Sequence, residues 1–351
     1  MVVQTPTPSK MTVVEIRHPG GPEVLVPAQR PVPKPAADEV LIRVFAAGVN
    51  GPDVLQRKGN YDPPPGASDI PGLEVSGEVV ALGSAVTRHK VGDRVVALLP
   101  GGGYAEYAVA HELLTASVPD GLTMVEAAGL LETFMTVWSN MFVRGRFQAG
   151  ETILIHGGAS GIGSTAIMLA RHFRASKIMT TVSSQFQRDF VLERGADVPI
   201  IYHDEDFVAA VKDATQGYGA DVILDIIAGD YVARNFEAAA LNGRIVQIST
   251  LKGPAENISF SPLVRKRLTH IGSTLRSRTI PEKAELLDDL IGNVFPIIRE
   301  GAVKPYLFRT FPLDDARGAH ELLGSRQHVG KVILVTPAGE AAAPDGRTRT
   351  P

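Results

Sequence analysis

The chain has 351 residues, 35 Lys and Arg against 38 Asp and Glu for a net charge of −3, and no cysteine. That length suits two domains, the balanced charge with no basic block argues against a nucleic-acid partner, and the missing cysteine excludes disulfides and every metal site with a thiolate ligand. No apolar run approaches the roughly 20 residues of a membrane span, and the start, MVVQTPTPSK, has no signal-type apolar segment; the expectation is a soluble, cytoplasmic protein with no membrane partner.

Residues 1–10 are rich in Pro, Thr and Ser and are expected to be disordered. From residue 11 the chain reads as β-rich. EVLIRVFAAGV (Glu39–Val49), VSGEVVALG (Val75–Gly83) and GDRVVALL (Gly92–Leu99) are short β-branched runs bounded by Gly, Pro and Asp. Long turns such as YDPPPGASDIPG separate them, which suggests a barrel-like β domain. From about Val125 the rhythm changes. TILIHG, KIMTTV (Lys177–Val182), PIIY, DVILDII (Asp221–Ile227), GRIVQIS and HIGSTL read as strands. SQFQRDFVLERGA, DEDFVAAVKDAT and YVARNFEAAAL read as helices between them. Wholly apolar strands alternating with helices imply a parallel sheet covered on both faces, here a doubly wound, six-stranded Rossmann domain. KAELLDDLIGNVFPIIREG gives helix again, and KVILVTP reads as a strand returning to the first domain. The expected division is therefore 11–125 with 271–337 for the β-rich domain and 126–270 for the Rossmann domain. The tail 338–351 has no apolar period and is expected to be disordered.

In ILIHGGASGIGSTAIMLARHF, Gly158, Gly161 and Gly163 form G-x-x-G-x-G between a strand and a helix. Glycines there let the backbone approach a pyrophosphate, whose charge the helix N-terminus favours. A tight turn without a ligand is the plain alternative, and the six-strand context favours a nucleotide. An NAD site places an acid at the end of the second strand. Here that end is TVSSQFQR, with Ser183, Ser184 and Arg188 and no acid before Asp189. Two hydroxyls tolerate a 2′-phosphate, so NADPH is the expected cofactor; the serines would also serve as helix caps. A short-chain dehydrogenase needs Tyr four residues before Lys. Tyr202, Tyr218 and Tyr231 are followed at that spacing by Asp206, Val222 and Asn235, and the glycine turn lies far from the N-terminus, so that class fails.

A β-rich first domain, a central Rossmann unit and a C-terminal return resemble the medium-chain dehydrogenase/reductase superfamily. Within 11–337, AAGVNGPDVLQRKGNYDPPPGASDIPGLEVSGEVVALG (Ala46–Gly83) resembles its zinc-independent quinone oxidoreductases, the zeta-crystallin-like branch, whose first domain is GroES-like. GNYDPPPGAS, LLPGGG (Leu98–Gly103) and LRSRT (Leu275–Thr279) are similar to the stress-inducible quinone oxidoreductases of animals and their bacterial relatives. The zinc branch needs a Cys and a Gly-His-Glu motif; here PGLEVSGEV carries Leu73 in place of the His, and leucine cannot ligate a metal.

The resemblance implies roles position by position. Asn50 would contact cofactor or substrate, Asp53 would fix that loop, Tyr61 would contact NADPH and face the acceptor, and Thr136 would lie beside the nicotinamide. Each has a plain alternative: Asn50 holding a turn, Asp53 capping a helix, Thr136 bonding back to its own helix. Ser160 would reach the pyrophosphate, and Ser183, Ser184 and Tyr202 would surround the adenine ribose and 2′-phosphate. Gln187 stands where relatives often carry Lys, and Lys331 matches a C-terminal Lys that approaches the cofactor. Gly229 follows the fourth Rossmann strand, on the carboxyl edge. Glu74 takes a structural role, and His156 and Trp138 read as packing residues. The implied activity is metal-free hydride transfer from NADPH to a quinone. The rivals are reduction of activated C=C bonds in enones or enoyl thioesters, and a non-catalytic NADPH-binding, crystallin-like role. HIGSTL would leave an unpaired sheet edge, which suggests a homodimer.

Overall fold

The computed structural model describes residues 7–342, so the expected disorder of residues 1–6 and 343–351 lies outside the described residues. Two compact units form, one from the chain up to Glu132 together with the chain from Arg276 on, the other from Thr133–Leu275. The sequence pattern placed these divisions after residues 125 and 270.

The first unit opens with an antiparallel hairpin, β1 (Lys10–Ile16) and β2 (Leu25–Pro31). Next come β3 (Glu39–Val49), β4 (Glu74–Leu82), β5 (Arg94–Leu98), β6 (Tyr107–His111) and β7 (Thr115–Ser117). The long strand β3 is nearly all buried because it has neighbours on both sides. β4 runs along one side, while β6 pairs with its first half and β15 (Lys331–Val335) with its second. Register shifts at Leu41/Ile42 and Val44/Ala46 bend the strand and turn its end toward the site. Val40, Ile42, Val44, Val79, Val95, Tyr104, Val332 and Leu334 form the core, all fully buried. β14 (Leu307–Pro312) closes the order β14-β15-β3-β4-β5-β7.

The second unit carries β8 (Thr152–Ile155), β9 (Lys177–Val182), β10 (Val198–Ile201), β11 (Ala220–Asp225), β12 (Ala239–Gln247) and β13 (Thr269–Gly272). All pairings are parallel, in the order β10-β9-β8-β11-β12-β13. Ile153, Leu154, Ile223, Leu224, Ile245 and Val246 are buried because helices cover both faces. Three of the intervening helices are capped by a side chain: Ser160, Ser184 and Asp206 accept from Gly163, Gln187 and Ala209 backbone N–H groups. The order reverses between β8 and β11, the point where an open α/β sheet binds ligand at its carboxyl edge.

Several sequence expectations need correction. The helix expected over YVARNFEAAAL stops at Ala238, because Ala239 already pairs with Ala220 as the start of β12. The strand turns at Asn242, at φ 61, a conformation Asn tolerates. The tail expected from residue 338 begins instead as a helix, Pro337–Ala342. It is anchored without an apolar stripe: the Thr336 hydroxyl donates to the Val44 carbonyl at 2.6 Å. Gly339 lies so close to β3 that a Cβ there would sit 2.0 Å from the Phe45 carbonyl oxygen. At the other end, Lys10 already belongs to β1.

Candidate active site

The glycine turn is a surface of bare backbone. β8 ends at Ile155, and the helix Gly161–His172 begins after five intervening residues. Gly157 takes φ +72; a Cβ on Gly158 would lie 2.0 Å from Thr180 Oγ1, and one on Gly163 would lie 2.3 Å from the Gly157 carbonyl oxygen. Side chains are excluded where a pyrophosphate would approach. Ser160 was expected to reach that group directly, but its hydroxyl is committed: it accepts from Gly163 N–H at 3.0 Å and donates to the Gly157 carbonyl at 2.8 Å. The donors left to an anion are the N–H groups of the first helical turn, at Gly161 and Ile162, which have no carbonyl behind them. A nicotinamide dinucleotide fits this cradle.

A buried polar chain fixes the turn. Asn235 Nδ2 donates to Asp225 Oδ2 at 2.9 Å, so Asn235 Oδ1 accepts from His156 Nε2 at 2.8 Å. His156 Nδ1 is then the acceptor for the Thr181 hydroxyl, whose oxygen takes the Gly157 N–H at 3.1 Å. Burial lowers the His156 pKa and keeps the ring neutral. Asp225 Oδ1 accepts from Ile227 and Ala228 N–H, which sets up the left-handed Ala228–Gly229 corner. Gly229 thus sits on the same sheet edge as the glycine turn, as the sequence implied.

At the end of β9, Ser183, Ser184 and Tyr202 come together: Ile201 pairs with Val182, and Tyr202 N–H donates to the Val182 carbonyl at 3.1 Å. No acid closes the strand. Gln187 Oε1 accepts from both Ser183 N–H at 3.0 Å and Ser183 Oγ at 2.9 Å. Ser184 caps the helix Gln185–Glu193. Arg188 turns away to Glu205 at 3.3 Å.

In the β-rich unit, most of the expected donors are spent on one another. Lys331 Nζ donates to Asn50 Oδ1 at 2.6 Å and to Glu74 Oε1 at 2.7 Å, with the Val49 carbonyl at 3.4 Å. Asn50 Nδ2 donates to Glu74 Oε1 at 3.0 Å. Asp53 accepts from Asn50 N–H, Gly72 N–H and the Tyr104 hydroxyl, at 2.8, 3.1 and 3.1 Å. Lys331 and Asn50, expected to contact cofactor or substrate, are buried and bonded to each other and to Glu74. Asp53 fixes the loop as expected, from full burial that pushes its pKa up to about 6. Behind it, Arg57 Nη1 donates to His320 Nδ1, so His320 Nε2 donates to Tyr104 Oη at 2.9 Å. Burial, reinforced by Arg57, lowers the His320 pKa to about 3, which keeps it in that neutral form.

The open groups are different ones. The hydroxyls of Tyr61 and Thr136 make no hydrogen bond among the described residues, so the alternative that Thr136 bonds back to its own helix does not hold. Arg276 lies with its guanidinium carbon 5.2 Å from the Tyr61 ring centroid and is held by the Pro100 carbonyl and by Gln56 Oε1. Glu132, in the first turn of the helix Leu131–Val137, donates its N–H to Glu74 Oε2 at 3.0 Å. Burial, and next the Glu74 charge, push its carboxyl up to about 8. Sequence reasoning missed Glu132 and Arg276. The available signal was a lone carboxylate in an otherwise apolar run, GLLETFMTVW.

A model of the alcohol dehydrogenase GroES-like domain matches residues 36–120, and one of the zinc-binding dehydrogenases matches residues 161–290. The chain is 30% identical over 330 residues to the quinone oxidoreductase of Rattus norvegicus, covering 93% of this chain and 98% of the relative. The chain belongs to the zinc-independent, quinone oxidoreductase-like medium-chain dehydrogenases/reductases. An Escherichia coli quinone oxidoreductase complexed with NADPH superposes at a TM-score of 0.82 with 29% identity, covering 92% of this chain and 99% of that one. An ER cyclopropanase, CurF, of the curacin A biosynthetic pathway superposes equally at 0.82 with 26% identity, over 94% and 100%. Like its family, the protein is an oxidoreductase that uses a nicotinamide cofactor. The zinc in the matched description does not fit this chain. Leu73 is 1% exposed in the core, and Glu74 is bound to Lys331. Among the described residues no three His, Asp or Glu side chains cluster to hold a metal. No helix of the described residues is long and apolar enough to cross a membrane.

Proposed function

We propose that the protein is an NADPH:quinone oxidoreductase that works without a metal. The observation that carries this reading is the spent state of its charged groups. Lys331, Asn50, Asp53 and Glu74 satisfy one another, and the position of the zinc-ligating His is leucine. With leucine at the zinc-ligand position and Lys331 committed to Glu74 and Asn50, neither a metal nor that lysine polarises a simple ketone, which favours an acceptor that itself carries the incoming negative charge. A quinone does so as a hydroquinone anion. Bound NADPH would supply the hydride. The glycine turn would hold the pyrophosphate, and Ser183, Ser184 and Tyr202 would flank the 2′-phosphate. Tyr61, whose hydroxyl makes no hydrogen bond among the described residues, would orient the acceptor.

A second reading, reduction of an activated C=C bond, meets the same electronic requirement, since an enone carries the incoming charge as an enolate. Turnover of NADPH with 1,4-benzoquinone is the test, run beside a simple enone and with a chelator present. Quinone turnover that survives chelation supports the proposal. Preference for the enone would move it to the second reading, and NADPH binding without turnover would leave a non-catalytic protein.

We also propose a homodimer. β13 pairs only with β12 among the described residues. Leu251, Phe260 and Val264, in the β12–β13 connection, are 55%, 60% and 69% exposed. An unpaired edge of this kind is a template for a second copy. Equilibrium sedimentation at micromolar concentration should return twice the 37.4 kDa of one chain; a single-chain mass would overturn it.

A further inference from the structure

We infer that Glu132 is the general acid that protonates the reduced acceptor. The inference rests on the quinone reading above.

The geometry is that of two neighbouring carboxyl groups, one fully engaged and one bare. Glu74 is engaged at both oxygens: Oε1 takes Lys331 Nζ at 2.7 Å and Asn50 Nδ2 at 3.0 Å, and Oε2 takes the Glu132 N–H at 3.0 Å. Glu132 starts from that contact, and its own carboxyl receives no hydrogen bond among the described residues. The residue is partly exposed. A carboxyl with no donor to stabilise its anion, next to a fixed anion, keeps its proton. The charged groups that face it come from every neighbouring element. Glu74 and Asp53 disfavour its ionisation, while Lys331 and Lys283 favour it. Tyr61 and Arg276 are within electrostatic reach, and Tyr61 is the residue with the free hydroxyl. Their balance leaves the pKa at about 8, matched to donating a proton at neutral pH. Thr136 lies four residues on, over the same face of the helix.

The step balances without a further reactant. Hydride addition to a quinone gives a hydroquinone monoanion. The Glu132 O–H bond breaks, its proton forms the second hydroquinone O–H, and the electron pair stays on the carboxylate. Water then returns a proton to Glu132. The buried Arg276, one of whose guanidinium nitrogens, Nη1, has no hydrogen-bond acceptor, adds positive charge beside the transient carboxylate.

The experiment pairs two readouts. In the protein without cofactor or acceptor, infrared difference spectra against pH should show a carboxylic acid that ionises near pH 8 and is missing from Glu132→Gln. In turnover with benzoquinone, kcat should fall as pH rises through about 8. Glu132→Gln should lose roughly 100-fold in kcat together with that limb. Glu132→Asp, which keeps a proton on a shorter arm, should keep the limb at reduced kcat, and serves if the Gln variant misfolds. A Glu132 already ionised by pH 6, or a Gln variant with wild-type kcat and the same limb, overturns the proton transfer alone. A carboxyl that titrates near 8 with no turnover of any acceptor overturns the functional reading, and the step with it.

Discussion

Lys331→Met is expected to destabilise the β-rich unit by about 3–5 kcal/mol, the cost of leaving one partner of a buried ion pair uncompensated. The side chains of Lys331 and Glu74 are only 4% and 1% exposed, so water cannot replace the lost ammonium. Asn50 Oδ1 loses its 2.6 Å donor in the same change. The expected fall in Tm is about 10 °C. Adding Glu74→Gln to Lys331→Met removes the stranded charge and should recover much of the loss, because a neutral amide still accepts from the Glu132 N–H. The measurement also decides between two roles for the lysine. If Lys331 served the cofactor, the single variant would melt normally and bind NADPH weakly. A framework lysine gives the reverse order: a lower Tm first, with weaker binding only as a consequence. Calorimetry and a nucleotide titration on the same sample separate the two.

That distinction marks what could be read from the chain. The Rossmann strands were legible because most carry a short apolar run, such as Ile153–Ile155, and helices alternate with them. β3 was legible from end to end, since the run between Asp38 and Asn50 is rich in β-branched and small side chains. The pair that anchors the site was not. Lys331 and Glu74 are 257 positions apart, and nothing local to either says that they meet. Likeness to relatives marked Lys331 and Asn50 as important, but physics gives them a different duty: each hydrogen-bonding atom is already taken inside the unit. Tyr61 and Thr136 went the other way, since only the fold shows their hydroxyls to be unclaimed. The tail misread has a similar cause. Pro337–Ala342 holds on through close approach of Gly339 and one threonine hydroxyl, and hydrophobic periodicity cannot report either. Glu132 was visible as a charge among apolar neighbours, yet its meaning depends on Glu74, which only the fold brings beside it.

Ser183→Asp is expected to reverse cofactor preference, from NADPH to NADH. The wild-type end of β9 presents two hydroxyls and no acid, with Tyr202 alongside. A carboxylate placed there meets the 2′-phosphate as a like charge. At about 4–5 Å and an effective dielectric near 20, that repulsion is roughly 3–4 kcal/mol. Screening at this surface reduces it to about half, roughly a ten- to hundredfold change in relative efficiency. The same carboxylate can accept from the ribose hydroxyls of NADH. Gln187→Lys should act in the opposite sense and by a distinct route. Gln187 now accepts both the N–H and the hydroxyl of Ser183, so the bare site has its donors turned inward. A lysine accepts neither, which costs the free protein about 1 kcal/mol. It releases both donors and adds a cation, all three available to the phosphate. Preference for NADPH should rise about tenfold, mainly through the KM for NADPH. The variant's stability deficit should vanish on adding NADPH but persist with NADH. The ratio of kcat/KM for the two cofactors, at fixed quinone and ionic strength, reads both changes. If Ser183→Asp leaves that ratio unmoved, the 2′-phosphate does not lie at the end of β9.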